Sequence, residues 1–499
     1  MKTCVVRRRF YSTEANNATV DVDLEPGFGI PKAIAVIYVE NNSATDTFNT
    51  ALGFRNFGIG FCGGGVTTCC NMAIQDTADP TSSQKSHFNT RFISATNTAR
   101  STTYYRAETV TFLDSKVRIN FTGATPQTNG HLDTIFWAVT GDDVTAAVGI
   151  SSFNGTAAGT RVYSGLAFQP DFVMIASPNT TQAQTLSSHA EMTFGMATRS
   201  PLQQAAIGFS YGNAADPTAV TTAVGDNSIA NFCRGNTFVN CDISAFSANG
   251  WTMRTNVAVT ASTVYNFLAV KSQSPSDFAL IDFTTPTATG NTFVGTGSTG
   301  FVPETALCIA THVSAINAVA GTQATGAEGF SIGAGSATSY SKLYNGNGTI
   351  TYSTGNATVT GTGSSFFKYY PGVELYTPDG VEIGTVSSVT NATSLTLTAN
   401  ALISGTSQAY TYSGYQQHSL AYGDIDGDNG GSQVYSLASS RFYCSTRAPS
   451  TVTTQAYLNN FDSRPGLSLD FTTADATTRK GFIIAFKGQN NNRRKGSIT

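Results

Sequence analysis

The chain has 499 residues, a formal net charge of −3, and only 12% charged against 40% hydrophobic residues. A single core stops growing at roughly 250–300 residues, so several folding units are expected. The near-neutral charge argues against broad nucleic-acid binding, and no apolar stretch approaches the roughly 20 residues of a membrane span.

Ser, Thr, Asn and Gly stand where Lys and Glu usually sit. Thr and aromatic residues suit pleated, half-buried surfaces, and Gly and Asn suit tight turns, so the composition reads as all-β. The opening MKTCVVRRRFYST sets a basic cluster, Arg7 to Arg9, behind a short apolar pair. It lacks the apolar run of a secretory signal, so export by that route is not expected. An apolar strand entered through a proline follows, GFGIPKAIAVIYVE (27–40). Then come a Gly-Phe strand (52–61), a strand around 71–74, TRFIS (90–94), a hairpin-like pair (110–123) and a closing apolar run, DTIFWAVTG (133–141).

The same series recurs twice. Its second copy runs AFQPDFVMIAS (167–177), MTFGMAT (192–198), 205–208, ANFCR (230–234), ISAFSANGWTMRT (243–255) and VYNFLAVKS (264–272). Its third runs GFVPETALCIA (300–310), EGFSIGAG (328–335), 418–421, SRFYC (440–444), LNNFDSRPGLSLDFT (458–472) and GFIIAFKG (481–488). A long fixed period marks a folding module used in series. Short strands, turn chemistry such as SANG and DSRPG, and the lack of a long 3.6-residue period predict antiparallel β-sandwiches.

Within the third copy, residues 346–413 alternate strictly in TITYSTGNATVTGTG and SLTLTA, and TPDG (377–380) reads as a hairpin turn. A small independent β-barrel inserted in a surface loop is expected, since added loop length costs little. The expected organisation is therefore all-β: three tandem antiparallel, jelly-roll-like sandwiches at 1–142, 143–273 and 274–345 with 414–488. The barrel spans 346–413, and a flexible polar tail, 489–499, follows.

Candidate chemistry is sparse. The eight cysteines, Cys4, Cys62, Cys69, Cys70, Cys233, Cys241, Cys308 and Cys444, do not recur with the repeat. A disulfide framework would repeat with its module, so mostly free thiols and assembly in a reducing compartment are expected. Cys62, Cys69 and Cys70 lack the second spaced pair or nearby His of a metal site. The segments 208–212 (GFSYG) and 329–333 (GFSIG) match the hydrolase nucleophile elbow, which requires a strand–turn–helix that neither is expected to form. The segment 58–63 (GIGFCG) fits dinucleotide spacing without the βαβ context that gives it meaning. Asp424, Asp426 and Asp428 alternate on a glycine-rich loop and present hard oxygens suited to Ca²⁺, though the closing Glu of an EF-hand is missing. His87, His131, His189, His312 and His418 are scattered, and Asp114, Asp133 and Asp462 read as turn or strand residues rather than a glycosidase pair. Tyrosines expected on the surface include Tyr104, Tyr105, Tyr211, Tyr340, Tyr344, Tyr352, Tyr369, Tyr370, Tyr410, Tyr412 and Tyr415. A rigid ring stacks on sugars or protein faces, so Tyr369, Tyr370, Tyr376, Tyr412 and Tyr415 are the candidate binding residues of the third unit and its insertion.

The series F-T-x-P-T-x-T-G, then G-F-x-P-x-A, a Gly-Phe strand and Y-x-A-F/V-K resembles a β-sandwich repeat of bacteriophage tail and other virion structural proteins. The insertion, GTGSSFFKYYPGVELYTPDGVEIGTVSSVTNATSLTLT (361–398), resembles a second module of phage tail proteins. Units one and two match more loosely, and unit one has NNATVDVDLEPGFGIPKA where the pattern expects Thr-Pro-Thr. The resemblance implies a non-enzymatic virion component, a tail or tail-fibre protein taking part in assembly and host attachment. Capsid decoration, or a head fibre, and a glycan-degrading sandwich enzyme are the alternatives. It also implies a homo-oligomer, such as a trimer, with other virion proteins and a host surface glycan or protein as partners. Assembly would take place in the host cytoplasm.

Overall fold

In the computed structural model of the chain, 69% of residues are strand. Pro275–Asp277 forms a single 3-10 turn. The described chain excludes residues 12–17, 26, 42–53, 76–81, 97–102, 123–130, 156–158, 182–185, 189, 212–219, 235–236, 258, 260–262, 295–299, 321–326, 337–341, 347, 365, 367–368, 370–372, 392, 415, 426–434, 440, 449–450, 461–465 and 489–499. Among the described residues, no helix is long and apolar enough to cross a membrane.

Each sequence repeat supplies one large and one four-stranded antiparallel sheet. In the first, the large sheet runs Lys2–Tyr11, His131–Thr140, Ala33–Asn41, Phe54–Gly63, Val66–Gln75, Ser82–Phe88. Its small sheet holds Thr19–Asp23, Lys116–Phe121, Thr103–Leu113 and Ile93–Thr96. The other repeats follow the same order.

The central strands of the large sheets are buried on both faces. Ala33–Asn41, His131–Thr140 and Phe172–Ser177 have no exposed position. The two faces do different things. Ile34, Val36, Tyr38, Phe136 and Ala138 pack toward the small sheet of their own repeat. Their neighbours Ala35, Ile37, Ile135, Trp137 and Val139 enter a second core, shared with residues of all three repeats. By contrast, Lys116–Phe121 in a small sheet alternates exposed and buried, as a strand with one wet face should.

The shared core joins the three large sheets. Phe57, Phe209 and Phe330 come from different repeats; Phe330 lies 4.6 Å from Phe57 and 5.4 Å from Phe209, both edge-on. Together with Met192 and Ile332 they leave a void of only about 10 Å³. Further along the core, Trp137 of the first repeat packs 4.8 Å from Phe486 of the third and 6.2 Å from Phe172 of the second.

Strand exchange ties neighbours together. Leu186–Ser188 of the second repeat pairs with the edge of the first repeat's large sheet. Ala318–Ala320 of the third pairs with the edge of the second's. The circle closes where Ser436 Oγ donates to Glu40 O at 2.9 Å and Tyr422 OH to Arg55 O at 2.9 Å. The three repeats are therefore a ring around one core, each touching both others.

Three glycines make the two layers fit. At Gly60, Gly195 and Gly333 a Cβ would stand 1.9, 1.9 and 1.7 Å from the carbonyl oxygens of Phe92, Ile229 and Phe442. This close approach explains the Gly in each Gly-Phe strand. It also corrects the alignment of the second repeat: Ile229 takes the place of Phe92, so the equivalent segment starts three residues before Ala230. Both N–H groups bond at 2.8 Å, Phe92 to Ala107 O and Ile229 to Cys241 O.

The insertion opens one hairpin. Gly63 pairs with Val66 and Arg199 with Leu202 across two-residue turns; the equivalent pair, Ser336 and Gln416, flanks the inserted module. That module, expected as a small β-barrel, is an eight-stranded sheet curled into a half-barrel over a core that includes Ile350, Val359, Leu375, Ile383 and Leu395. The TPDG turn is present, with Gly380 N donating to Thr377 O at 2.9 Å.

Replacing Gly333 with Ala should destabilise the fold by about 3 kcal/mol or more, because backbone rather than a flexible side chain fills the space. Gly355→Ala, where a Cβ meets nothing within 4 Å, should change stability by well under about 1 kcal/mol. Thermal denaturation of the pair checks this; equal melting temperatures would refute the close-approach account.

Candidate functional site

The most deeply buried polar side chains do not converge on a cleft. Some lie on the seams between repeats, and others bond within one repeat. Between the first and second, Lys85 Nζ meets Glu191 Oε2 at 3.0 Å with both side chains nearly inaccessible. Beside it, His87 Nε2 bonds Asn266 Oδ1, Asn266 Nδ2 donates to Cys70 Sγ at 3.1 Å, and Cys70 Sγ donates to Ala176 O at 3.4 Å. Burial lowers the pKa of His87 from its ordinary value, and the Asn266 bond offsets this in part. Between the second and third the link is through backbone: Asn317, an exposed residue, donates its N–H to Val224 O at 2.8 Å. Between the third and first, Thr305 Oγ1 donates to Thr3 Oγ1 at 2.7 Å, and Thr3 N to Glu304 Oε2 at 3.3 Å.

Polar clusters also lie within a single sheet. Asn56 Nδ2 donates to Glu40 Oε2 at 2.6 Å and Asn71 Nδ2 to Asn56 Oδ1 at 3.2 Å, all three buried on adjacent strands of the first large sheet. Asp133 is fully buried, and it bonds Arg7 Nη2 at 2.9 Å and Arg9 Nε at 3.0 Å on the neighbouring strand. Burial alone would raise its pKa, but hydrogen bonds from His131 and Arg9 and the charge of Arg7 hold it well below the carboxylate range. Arg7 and Arg9 of the N-terminal basic cluster are thus structural counter-ions.

The sequence motifs fall inside strands. Ser331 is buried mid-strand, 2% exposed, and Ser210, one residue from its strand's end and 7% exposed, is paired with Glu191 and Thr221 on the strands to either side. Residues 58–63 lie in the antiparallel strand Phe54–Gly63, with no helix to cradle a pyrophosphate. His87, His131, His312 and His418 are all buried and apart; His189 lies outside the described residues. Among the described residues no group of three or more His, Cys, Asp or Glu is placed to hold a metal. Asp424 is the penultimate residue of the strand Gln416–Ile425 and its side chain lies outside the described residues, as do Asp426 and Asp428.

The tyrosines need correction. Tyr105, Tyr211, Tyr352 and Tyr410 are 1–4% exposed and fill cores. Tyr369 is 3% exposed, with its hydroxyl 2.7 Å from that of Tyr410 and its ring 4.6 Å from Tyr412. Desolvation, then the neighbouring Tyr410, pushes its pKa far up, so it is a core residue and not a surface platform. Apolar burial outweighed the loop context in which the sequence placed these rings. Tyr412 and Tyr376 are partly buried, and Tyr376 OH donates to Glu374 Oε2 at 2.6 Å. Tyr340, Tyr370 and Tyr415 lie outside the described residues, and the side chains of Tyr104 and Tyr344 do too.

Family models for known proteins give no match to this chain, and no curated protein matches it either.

All eight cysteines are free and buried. Desolvation pushes Cys62, Cys69 and Cys241 up to about 12. Thiolate, the reactive form, is scarce at neutral pH. A thiol reagent should label essentially none of the eight in the native protein and all after unfolding; rapid native labelling would contradict this burial.

Glu304 generates a pH prediction. Its carboxyl is pushed from 4.5 up to about 7, chiefly by desolvation, with a repulsive contribution from Glu25. Between these two values the folded chain keeps a proton that the unfolded chain has lost. Stability from this group is therefore full below the unfolded value and falls as pH rises through the folded one. The loss by about pH 8 should be about 1–2 kcal/mol, allowing for partial solvent access. Chemical denaturation across this range should show a flatter pH profile for Glu304→Gln; an unchanged profile would exclude Glu304 as the cause.

Proposed function

We propose that the chain is a non-enzymatic structural protein of a bacteriophage particle, a tail or tail-fibre component that contributes to assembly and host-surface attachment. The observation that carries this reading is where the polar chemistry goes. The deeply buried ion pair and the His–Asn–Cys contacts join repeats, and the serines of both hydrolase-like motifs are locked inside strands. A scaffold that displays surfaces uses its residues this way. The reading takes the repeats as three jelly-roll-like sandwiches, at 1–142, 143–273 and 274–345 with 414–488. The half-barrel, set on an opened hairpin, is the displayed element.

Three-fold assembly also takes a different form in this reading. The ring supplies within one chain the three-way contact that a fibre protein obtains from three copies. The building block is then a monomer, and any homo-oligomer forms through faces outside the ring. Other virion proteins bind those faces, and a host surface glycan or protein binds the half-barrel, with Tyr376 and Tyr412 as candidate contacts. The protein is placed in the virion after assembly in the host cytoplasm.

Immunogold labelling of particles should put the chain on the tail. Label on the capsid would replace this reading with a head decoration or head fibre, and particles free of label would end it. Light scattering of the purified chain should give the 52.3 kDa monomer.

A further inference from the structure

The first repeat holds a cleft of about 350 Å³ between the turn that precedes Ala33–Asn41 and the end of His131–Thr140. Lys2, Lys32 and Asp142 line it, and Gly27 and Gly29 form its floor. Both glycines have positive φ, 70° and 90°, and a Cβ on either would meet nothing within 4 Å, so the space above them is open. The turn is pinned in place at three points. Lys2 Nζ donates to Gly27 O at 3.0 Å, Ser115 N to Gly29 O at 3.1 Å and Thr140 Oγ1 to Ile30 O at 2.6 Å. This is a preformed surface.

Comparison around the ring sets Lys32 apart. Sheet register makes Lys32, Asp171 and Glu304 equivalent: each follows the proline of its repeat and precedes the residue paired with Gly63, Thr198 or Ser336. Asp171 is satisfied internally, by Arg199 Nε at 2.9 Å and Ser272 N at 2.9 Å. Glu304 accepts from Thr3 N. Lys32 instead is exposed and faces the cleft, where Lys2 brings a second ammonium group.

Two cations favour an anionic group. Asp142 on the same cleft disfavours a bare multivalent anion but accepts hydroxyl donors. Ile30, 59% exposed on the cleft, offers an apolar edge. The volume is also several times what an inorganic anion occupies. We infer that this cleft binds an acidic monosaccharide unit, its carboxylate or phosphate between Lys2 and Lys32 and its hydroxyls donating to Asp142.

The inference goes beyond the virion reading and does not require it, since purified protein tests it. Glucuronate, glucose and inorganic phosphate are titrated by ligand-observed NMR against the full chain and the variants Lys32→Gln and Lys32→Arg. Glucuronate should bind saturably, and glucose at least about tenfold more weakly; Lys32→Gln should weaken glucuronate about tenfold, and Lys32→Arg should retain it. Glucose binding as tightly as glucuronate, phosphate alone binding as tightly, or Lys32→Gln binding unchanged would each overturn the assignment. Circular dichroism confirms folding of both variants, and the Arg variant keeps the test decisive if Gln perturbs the turn.

Discussion

Each large sheet has two apolar faces and only one four-stranded sheet to cover them. That mismatch governs the architecture. The face carrying Ala35, Ile37, Ile135 and Trp137 would meet water if the first repeat stood alone. Fully burying one large apolar side chain is worth roughly 1.5–3 kcal/mol. The Trp137, Phe172, Phe278 and Phe486 group, drawn from all three repeats, thus contributes on the order of 10 kcal/mol as an upper bound. Few arrangements bury three such faces with three connected repeats. A closed ring does so by placing all three in one shared core.

The polar seams add orientation more than energy. A buried pair such as Lys85–Glu191 spends much of its attraction on desolvation, and well-packed apolar substitutes often do as well. Breaking one partner is a different matter, since it leaves a buried charge. The seam therefore penalises misdocked arrangements more strongly than it rewards the native one. The exchanged strands act the same way. Leu186–Ser188 and Ala318–Ala320 are short, but each covers an edge that would otherwise offer unpaired backbone groups to other chains. Register across these edges fixes how far each repeat can rotate about the shared core.

Much of this was legible in the residues. The proline-led apolar strands, the closing apolar runs and the TPDG hairpin all appear where the sequence placed them. The ring was legible too, in a signal easily passed over. A two-layer sandwich with one wet face writes alternating strands, as Lys116–Phe121 does. AIAVIYV and TIFWAV are continuous instead, the mark of strands covered on both sides. What the sequence could not show is which partner covers them, because contact between repeats depends on docking rather than local pattern. The tyrosines failed for a related reason. Tyr369 and Tyr410 sit in polar, turn-rich text, and only the curl of the half-barrel brings their rings inside. The second repeat's three-residue misalignment arose because Phe232 resembles Phe92 in type, whereas the true constraint is a carbonyl passing over Gly195.

One chain can do what three identical chains cannot. In a homotrimer every position around the axis is the same residue, and any insertion appears three times. Here the equivalent positions hold Trp137, Leu268 and Ile484 in the shared core, and Lys32, Asp171 and Glu304 at the mouth of the sheet. Only one of three equivalent hairpins is opened to carry a half-barrel. Covalent linkage also replaces two bimolecular associations with intramolecular docking, so packing at the core need not offset the loss of translational freedom. Weaker or more varied contacts then suffice at each seam. Divergence of the repeats is thus a consequence of the linkage, and it is the divergent positions, not the shared ones, where a specific surface can arise.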